Sequence, residues 1–283
     1  MLSLRVPIRF LGGGLAFALS GFMPMHATAQ EAVDVELVLA VDVSLSMSFE
    51  ELRIQREGYV AALRHDEVIQ AIRDGVQGRI AVTYFEWAGD ASQYMVVPWT
   101  VIASREDAER VAAMISSGAP NSARRTSISG GLRYAADLLA ESGFRSPKRV
   151  VDVSGDGPNN QGEFVNLARD ALVASGIVIN GLPLMTRGGP TSAFDVPDLD
   201  RYYADCVVGG PGSFVIPVND WSQFPDAVRR KLVQEIAGPG PAERRWTPGQ
   251  PLPVVRAAAP APYDCQVGEK RWRGRGFMWD GTP

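Results

Sequence analysis

The chain has 283 residues, of which 46% are hydrophobic, and it carries a formal net charge of −4 at pH 7. This length accommodates one α/β domain with extensions and a sizeable core, and the composition is unlike that of a disordered protein or a coiled coil. The mild acidity argues against nucleic acid as a partner, because nucleic-acid-binding proteins present a basic face.

The first 29 residues are typical of an export signal. Arg5 and Arg9 precede a short apolar segment, 10–22, and small residues at 27–29 offer a cleavage site. The segment is too short for an ordinary membrane span, although an uncleaved anchor is the alternative. Cleavage removes two arginines and no acids, which changes the net charge from −4 to −6. We expect an exported protein, periplasmic or, as the second choice, secreted, with no integral membrane segment after cleavage.

A carboxylate and two hydroxyls follow the first predicted strand, the apolar run 33–41. They are Asp42, Ser44 and Ser46, in the pattern D-x-S-x-S. Alternate side chains of an extended stretch point the same way, so these three converge beyond the strand's carboxyl end, where open α/β sheets bind ligands. Hard oxygens suit Mg²⁺ or Mn²⁺. The alternative is a serine-rich helix cap, with Ser46 or Ser48 as the N-cap.

The rest of the domain alternates helices with strands. The predicted elements are helices over 49–65, 104–115, 128–140, 162–175 and 221–236, strands over 79–87, 93–99, 149–154, 177–182 and 213–218, and a short helical segment within 195–206. The link through Gly89 and Asp90 is short enough for a hairpin, so strand 93–99 is predicted to be antiparallel and at an edge. The alternation predicts a doubly wound, mainly parallel six-stranded sheet with helices on both faces.

Two more oxygen-bearing side chains are predicted at the same edge of this sheet. Thr126 ends the polar loop 118–126, and Asp156 lies in the turn after strand 149–154. That strand and the first strand are the natural pair at the switch point of a doubly wound sheet. Two carboxylates and three hydroxyls give five candidate oxygens, and an octahedral Mg²⁺ can take its sixth from water or a ligand.

The C-terminal extension, 238–283, is interrupted by prolines but contains Trp246, Trp272 and Trp279. We expect an extended strap on the domain, because a disordered tail is poor in such residues. The basic run 270–275 could instead be a docking patch, although a solvated tail with one packed tryptophan is the commoner case.

Cys206 and Cys265 are the two cysteines of the chain. An even pair in an oxidising compartment predicts a disulfide that pins the strap, and two free thiols are the alternative. In the chain-entropy model, closing such a loop stabilises the folded state by about 4 kcal/mol.

The ordered set of oxygens resembles the metal-ion-dependent adhesion site of the von Willebrand factor A-type domain. That site combines D-x-S-x-S, a Thr from a second loop and an Asp from a third. Asp42, Ser44 and Ser46 match the first element, Thr126 the second and Asp156 the third. The resemblance spans about 33–237 and implies a Rossmann-like fold for a domain over 30–237.

Three stretches also resemble one bacterial subfamily of exported A-type domains without an assigned function. They are 154–160, 205–214 and 265–272. One departure from the wider family is Ser127-Ile128-Ser129, which replaces a frequent second Thr after Thr126.

The resemblance implies binding and not catalysis. In the family, the cation's open position accepts a carboxylate from a partner protein, so the implied cofactor is Mg²⁺ or Mn²⁺ and the implied partner is a protein presenting an acidic residue. A metal-dependent hydrolase and a metal-independent scaffold are the alternatives. Against the hydrolase, His65 is the single histidine after residue 29, and there is no Gly-x-Ser-x-Gly, P-loop or H-E-x-x-H motif.

Four other polar residues near the strand ends have structural interpretations. Glu86 could line the site, but we expect it to be exposed to solvent. Asn159 and Asn160 could touch a ligand, but we expect them to cap the following helix. Asp152 lies within a strand predicted to be buried on both faces, so it should be paired, for instance with an arginine.

Overall fold

The structure is a computed structural model that describes residues 30–186, 196–237 and 262–279, the last five of them by their backbone alone. Its strands are β1 (Glu31–Ala32), β2 (Glu36–Asp42), β3 (Ile80–Trp87), β4 (Gln93–Ile102), β5 (Phe144–Arg145), β6 (Arg149–Gly155) and β7 (Ile177–Pro183). Its helices are α1 (Phe49–Arg64), α2 (Asp66–Arg73), α3 (Arg105–Ser116), α4 (Ile128–Ala140), α5 (Val165–Ala174), α6 (Leu199–Tyr202), α7 (Phe224–Ala237) and α8 (Val267–Trp279). The predicted export signal and the Pro-rich stretch 238–261 lie outside the described residues.

The main sheet has the strand order β4-β3-β2-β6-β7, and all of its pairs are parallel except β3 with β4. β2 lies at the centre with all seven residues buried, as its apolar sequence predicts. β4 is the antiparallel edge strand reached by a hairpin, which confirms the interpretation of the short link at Gly89 and Asp90.

Within the described ranges the main sheet has five strands and not six. The predicted sixth strand, 213–218, runs parallel to β7 but pairs with it only through two isolated bridges, Gly181 with Val215 and Leu184 with Val218. Pro183 lies between the two bridged positions and has no N–H to donate, so the ladder is interrupted there.

Helices cover both faces of the sheet, as predicted. The apolar sides of α1, α2, α3 and α7 form one core with one face of the sheet, and α4, α5, α6 and the π-helical turn Tyr203–Val207 form a second core with the other face. None of the helices in the described part of the chain is long and apolar enough to cross a membrane. The sheet is therefore packed between two cores, which hold in place its carboxyl edge, where the candidate site lies.

The described part of the C-terminal extension includes a helix where an extended strap was predicted. Its described part continues from Pro262 into the helix α8, where no proline interrupts the chain and the Asp264 carboxylate accepts a hydrogen bond from the backbone N–H of Gln266. Cys265 is disulfide-bonded to Cys206, as predicted, and the Tyr263 ring packs edge-on against Tyr202. The described part of the extension is thus anchored to the domain through Cys265 and contains a helix.

Candidate metal site

The first oxygen loop leaves β2 at Asp42 and ends where α1 begins. The backbone N–H of Ser44 donates to Asp42 Oδ1 at 2.7 Å, which turns the chain back over the strand end. Ser48 is the N-cap of α1 and forms a capping box with Glu51. Because Ser48 performs the capping, Ser46 remains available to the candidate site.

A chain of hydroxyls joins this loop to the turn after β6. Ser44 Oγ and Ser46 Oγ lie 2.9 Å apart, and Ser46 Oγ donates to Asp156 Oδ1 at 2.7 Å. Ser46 and Asp156 are 110 residues apart in sequence. The structure therefore brings Asp42, Ser44, Ser46 and Asp156 together at the carboxyl edge of neighbouring strands, as the pattern predicts.

Asp42 is a buried carboxylate whose second oxygen has no hydrogen-bond partner among the described residues. The residue is 0% exposed, and the atom in question is Oδ2. Burial raises the pKa of Asp42 well above its usual range, and the charge of Asp156 raises it further. Hydrogen bonds from Ser44 and from the backbone of Asp156 partly oppose these effects. This carboxylate lies where a positive charge would stabilise its ionised form.

Thr126 lies on a loop that pairs with the D-x-S-x-S loop. The N–H of Leu45 donates to the carbonyl of Ala123 at 2.9 Å, and Ala123 donates in turn to the carbonyl of Val43 at 3.2 Å. Thr126 itself is 6% exposed, and its N–H donates to Asn160 Oδ1 at 3.0 Å. Backbone pairing thus fixes the loop that carries Thr126 against the loops that carry Ser44 and Asp156.

The prediction that Asn159 and Asn160 cap the next helix was wrong, since Phe164 occupies the N-cap of α5 and makes no side-chain cap bond. Asn159 is buried, accepts from the N–H of Ser129 at 3.0 Å and donates to Glu269 of α8 at 2.8 Å. The two asparagines instead join the Asp156 loop to the Thr126 loop and to the C-terminal helix. Their amide oxygens accept from the N–H of Thr126 and from that of Ser129 in the first turn of α4, so they bond to the preceding helix and its loop and do not cap α5.

The prediction of an exposed Glu86 was also wrong. The residue is 0% exposed, and its carboxylate lies 2.6 Å from Nε of Arg56 and accepts from the side chain of Asn121 at 2.7 Å. Arg56 also donates to the carbonyl of Gly118 at 2.5 Å, so the pair holds the loop that leads to Thr126. The missed signal was Arg56 itself, which falls on the apolar side of α1 near Leu52.

In the described ranges, no three His, Cys, Asp or Glu side chains come together as a possible metal site. A cation at this edge would therefore rely on serine and threonine hydroxyls beside two carboxylates. That donor set, all hard oxygens, suits Mg²⁺ or Mn²⁺.

Solved structures with a similar fold include a matrix protein of the mussel byssus and a pilus adhesin. Proximal thread matrix protein 1 from the mussel byssus is 13% identical with a TM-score of 0.54 over 74% of this chain and 49% of that one. The same protein with a zinc-occupied MIDAS motif is 14% identical, with a TM-score of 0.52 and the same coverage. The pilus adhesin SpaC from Lactobacillus rhamnosus GG is 12% identical, with a TM-score of 0.54 over 72% of this chain and 31% of that one.

The chain thus spans about half of the mussel protein and a third or less of the adhesin. No curated protein matches it in sequence. A family model described as "Protein of unknown function (DUF1194)" matches residues 32–240. The chain belongs to this family and has the fold of a von Willebrand factor A-type domain.

Proposed function

We propose that this protein is an exported binding module that holds Mg²⁺ or Mn²⁺ through Asp42, Ser44, Ser46, Thr126 and Asp156. The observation that carries the proposal is the hydrogen-bonded chain from Ser44 through Ser46 to Asp156, next to a buried Asp42 oxygen that has no donor among the described residues. Residues 1–29 would direct export, 30–237 would form the binding domain, and 238–283 would form its anchored extension.

The residues present fit a divalent cation. Asp42 and Asp156 supply negative charge, the serine hydroxyls supply neutral oxygens, and the ordered loops hold all of them before any cation arrives. Neutral ligands leave much of a cation's charge available to an incoming anion. When bound, the cation would supply a position for one more anionic oxygen, and we propose that a carboxylate of a partner protein takes it.

A hydrolase that transfers protons through a histidine would need that histidine at this site. His65 is at the junction of α1 and α2, where its Nδ1 accepts from the N–H of Glu67 at 3.2 Å and so caps α2. The mussel structure with a zinc-occupied MIDAS motif supports a divalent cation in this fold. The placement of His65 as a helix cap favours binding over histidine-dependent catalysis.

Thermal and chemical unfolding of the oxidised protein, after chelation, should test the site by titration with Mg²⁺ and Mn²⁺. A ligand that binds only the native state stabilises it by about 2.7 kcal/mol at a hundredfold excess over its Kd. We expect a saturable rise for the wild type, none for Asp42→Ala or Asp156→Ala, and a normal rise for Asp137→Ala, which changes an exposed carboxylate on α4.

A flat response in metal-free wild-type protein would overturn the proposal and favour the scaffold alternative. If the rise occurs, binding of a glutamate-containing peptide with and without chelator tests the carboxylate step. Turnover of ester or phosphate substrates that disappears in Asp156→Ala would instead favour the hydrolase.

A further inference from the structure

Two buried oxygens without a hydrogen-bond partner in the described part of the chain lie close together beneath the candidate metal site. One is Asp42 Oδ2 and the other is the hydroxyl oxygen of Tyr203, and both residues are 0% exposed. A β-carbon at Gly155 would lie 2.8 Å from each, so the two oxygens are at most twice that distance apart. This separation is within reach of a direct hydrogen bond or of one bridging water.

Glycines on two adjacent strands make room for the Tyr203 side chain. Gly155 at the end of β6 leaves space for its hydroxyl, and on β7 a β-carbon at Gly181 would lie only 2.7 Å from Tyr203 Cδ1. Contacts that short do not occur between real β-carbons and ring atoms, so any larger residue at either position would displace the tyrosine. The missing side chains at these two glycines thus leave space for the Tyr203 ring next to the candidate metal site.

The backbone that carries Tyr203 is itself anchored. Tyr203 begins the π-helical turn Tyr203–Val207, which also contains Cys206, and that cysteine is bonded to Cys265. Single π-helical turns occur frequently at functional sites because they redirect one side chain within a helical segment. Here the turn directs an aromatic side chain inward from a covalently fixed segment.

The tyrosine hydroxyl remains a donor in this environment. A tyrosine hydroxyl keeps its proton at neutral pH, so it can donate one hydrogen bond. Asp42 Oδ1 already accepts from the N–H of Ser44, so Oδ2 is the free acceptor of that carboxylate. A protonated phenol and a free carboxylate oxygen are chemically complementary.

We propose that Tyr203 is a positioning residue of the metal site, whose hydroxyl donates to Asp42 Oδ2 directly or through one water molecule. With both carboxylate oxygens held, Asp42 cannot rotate away from the orientation that serves a cation. Groups that orient metal ligands in this way change metal affinity although they do not touch the metal. The inference rests on the proposed function, since it concerns the same site.

The test compares Tyr203→Phe with the wild type by calorimetric titration of Mn²⁺ alone into the oxidised full-length domain with its C-terminal extension. We expect the Kd for Mn²⁺ to rise about ten- to hundredfold, as for other residues that orient metal ligands. Phenylalanine keeps the ring in its slot, so unfolding in chelator should change little. The matched control is Tyr84→Phe, which removes another fully buried hydroxyl without a described partner, from β3.

Each outcome separates this inference from the function on which it rests. A wild type that takes up no Mn²⁺ overturns both. A wild type that binds, with Tyr203→Phe binding equally well, overturns the role of Tyr203 and leaves the metal site standing. An affinity loss of the same size in Tyr84→Phe would mark a general packing effect and also overturn it. Gly181→Ala, which displaces the ring from β7, should reproduce the loss of affinity.

Discussion

Two buried acidic clusters lie in adjacent strands of the same sheet, and they differ in how their charge is balanced. At the end of β2, Asp42 is surrounded by hydroxyl and amide groups. In the middle of β6, Asp152 lies 2.6 Å from the ammonium nitrogen of Lys231, which also contacts Glu235 of α7, and all three residues are 0% exposed.

The comparison teaches what each cluster can do. The Asp152 cluster contains its own cation, and Asn180 donates to Glu235 at 3.0 Å, so the protein alone satisfies much of its charge. Asp152 is paired as expected, although with a lysine and not an arginine. The Asp42 cluster holds its carboxylates with neutral donors and suits a cation from outside. We therefore interpret the Asp152 cluster as stabilising the fold, while the Asp42 cluster carries the proposed binding role.

The largest expected effect comes from removing the internal cation. Lys231→Met leaves Asp152 and Glu235 buried without their positive partner, which should lower the free energy of unfolding by about 3–5 kcal/mol. Urea denaturation measures this loss. The triple variant Lys231→Met, Asp152→Asn, Glu235→Gln should recover most of it, because no uncompensated charge remains. A single variant as stable as the wild type would contradict the assignment.

The Arg56–Glu86 pair combines features of both clusters. It is a buried ion pair like the Asp152 cluster, but it supports the Thr126 loop, which belongs to the candidate metal site of the Asp42 cluster. Arg56→Met should cost about 3 kcal/mol, near the lower end for breaking a buried pair, since Asn121 still donates to Glu86. It should also weaken Mn²⁺ binding, since the Thr126 loop loses its anchor at Gly118. The control is Arg53→Met, which removes an exposed arginine of α1. An unchanged Mn²⁺ affinity in Arg56→Met would separate the pair from the site.

Much of this arrangement could be predicted from sequence. The positions of Asp42 and Asp156 followed from the rule that parallel strands present their carboxyl ends at one edge, and Thr126 from its place before α4. Residues that contact the site from distant parts of the chain could not be predicted. The hydroxyl of Tyr203 lies near Asp42 only because Gly155 on β6 and Gly181 on β7 leave space for its ring. Glu86 was misplaced because its burial depends on Arg56, 30 residues away. Pairings of this kind are determined by tertiary packing and leave no local pattern.

The pH dependence of stability should also distinguish the two clusters. Burial raises the pKa of Asp152 from 3.8 to about 7, although Lys231 opposes this shift. Between these values the folded protein keeps a proton that the unfolded chain has lost, so the stability from this group is full below pH 3.8 and is lost as the pH rises to about 7.

Asp152→Asn should therefore flatten the pH profile of the unfolding free energy between about pH 4 and 7, by at most about 1.4 kcal/mol per pH unit. Urea titrations at several pH values measure the slope. Asp170→Asn, at an exposed position on α5, is the control and should keep the wild-type slope. A wild-type slope in Asp152→Asn would mean that another group in the cluster carries the proton.

The smallest change in stability is expected at the Asp42 cluster. In the presence of chelator, Asp42→Asn should raise the free energy of unfolding by about 1 kcal/mol. The amide oxygen can still accept from the N–H of Ser44, and the variant no longer buries a charge next to Asp156. Adding Mn²⁺ should then stabilise the wild type and leave Asp42→Asn unchanged, so the order of stabilities reverses. A loss of several kcal/mol in chelator would instead mean that the protein already balances the charge of Asp42, as it does for Asp152. The two clusters would then both be structural, because a carboxylate whose charge is already balanced by a positive group of the protein has little need of a cation from outside.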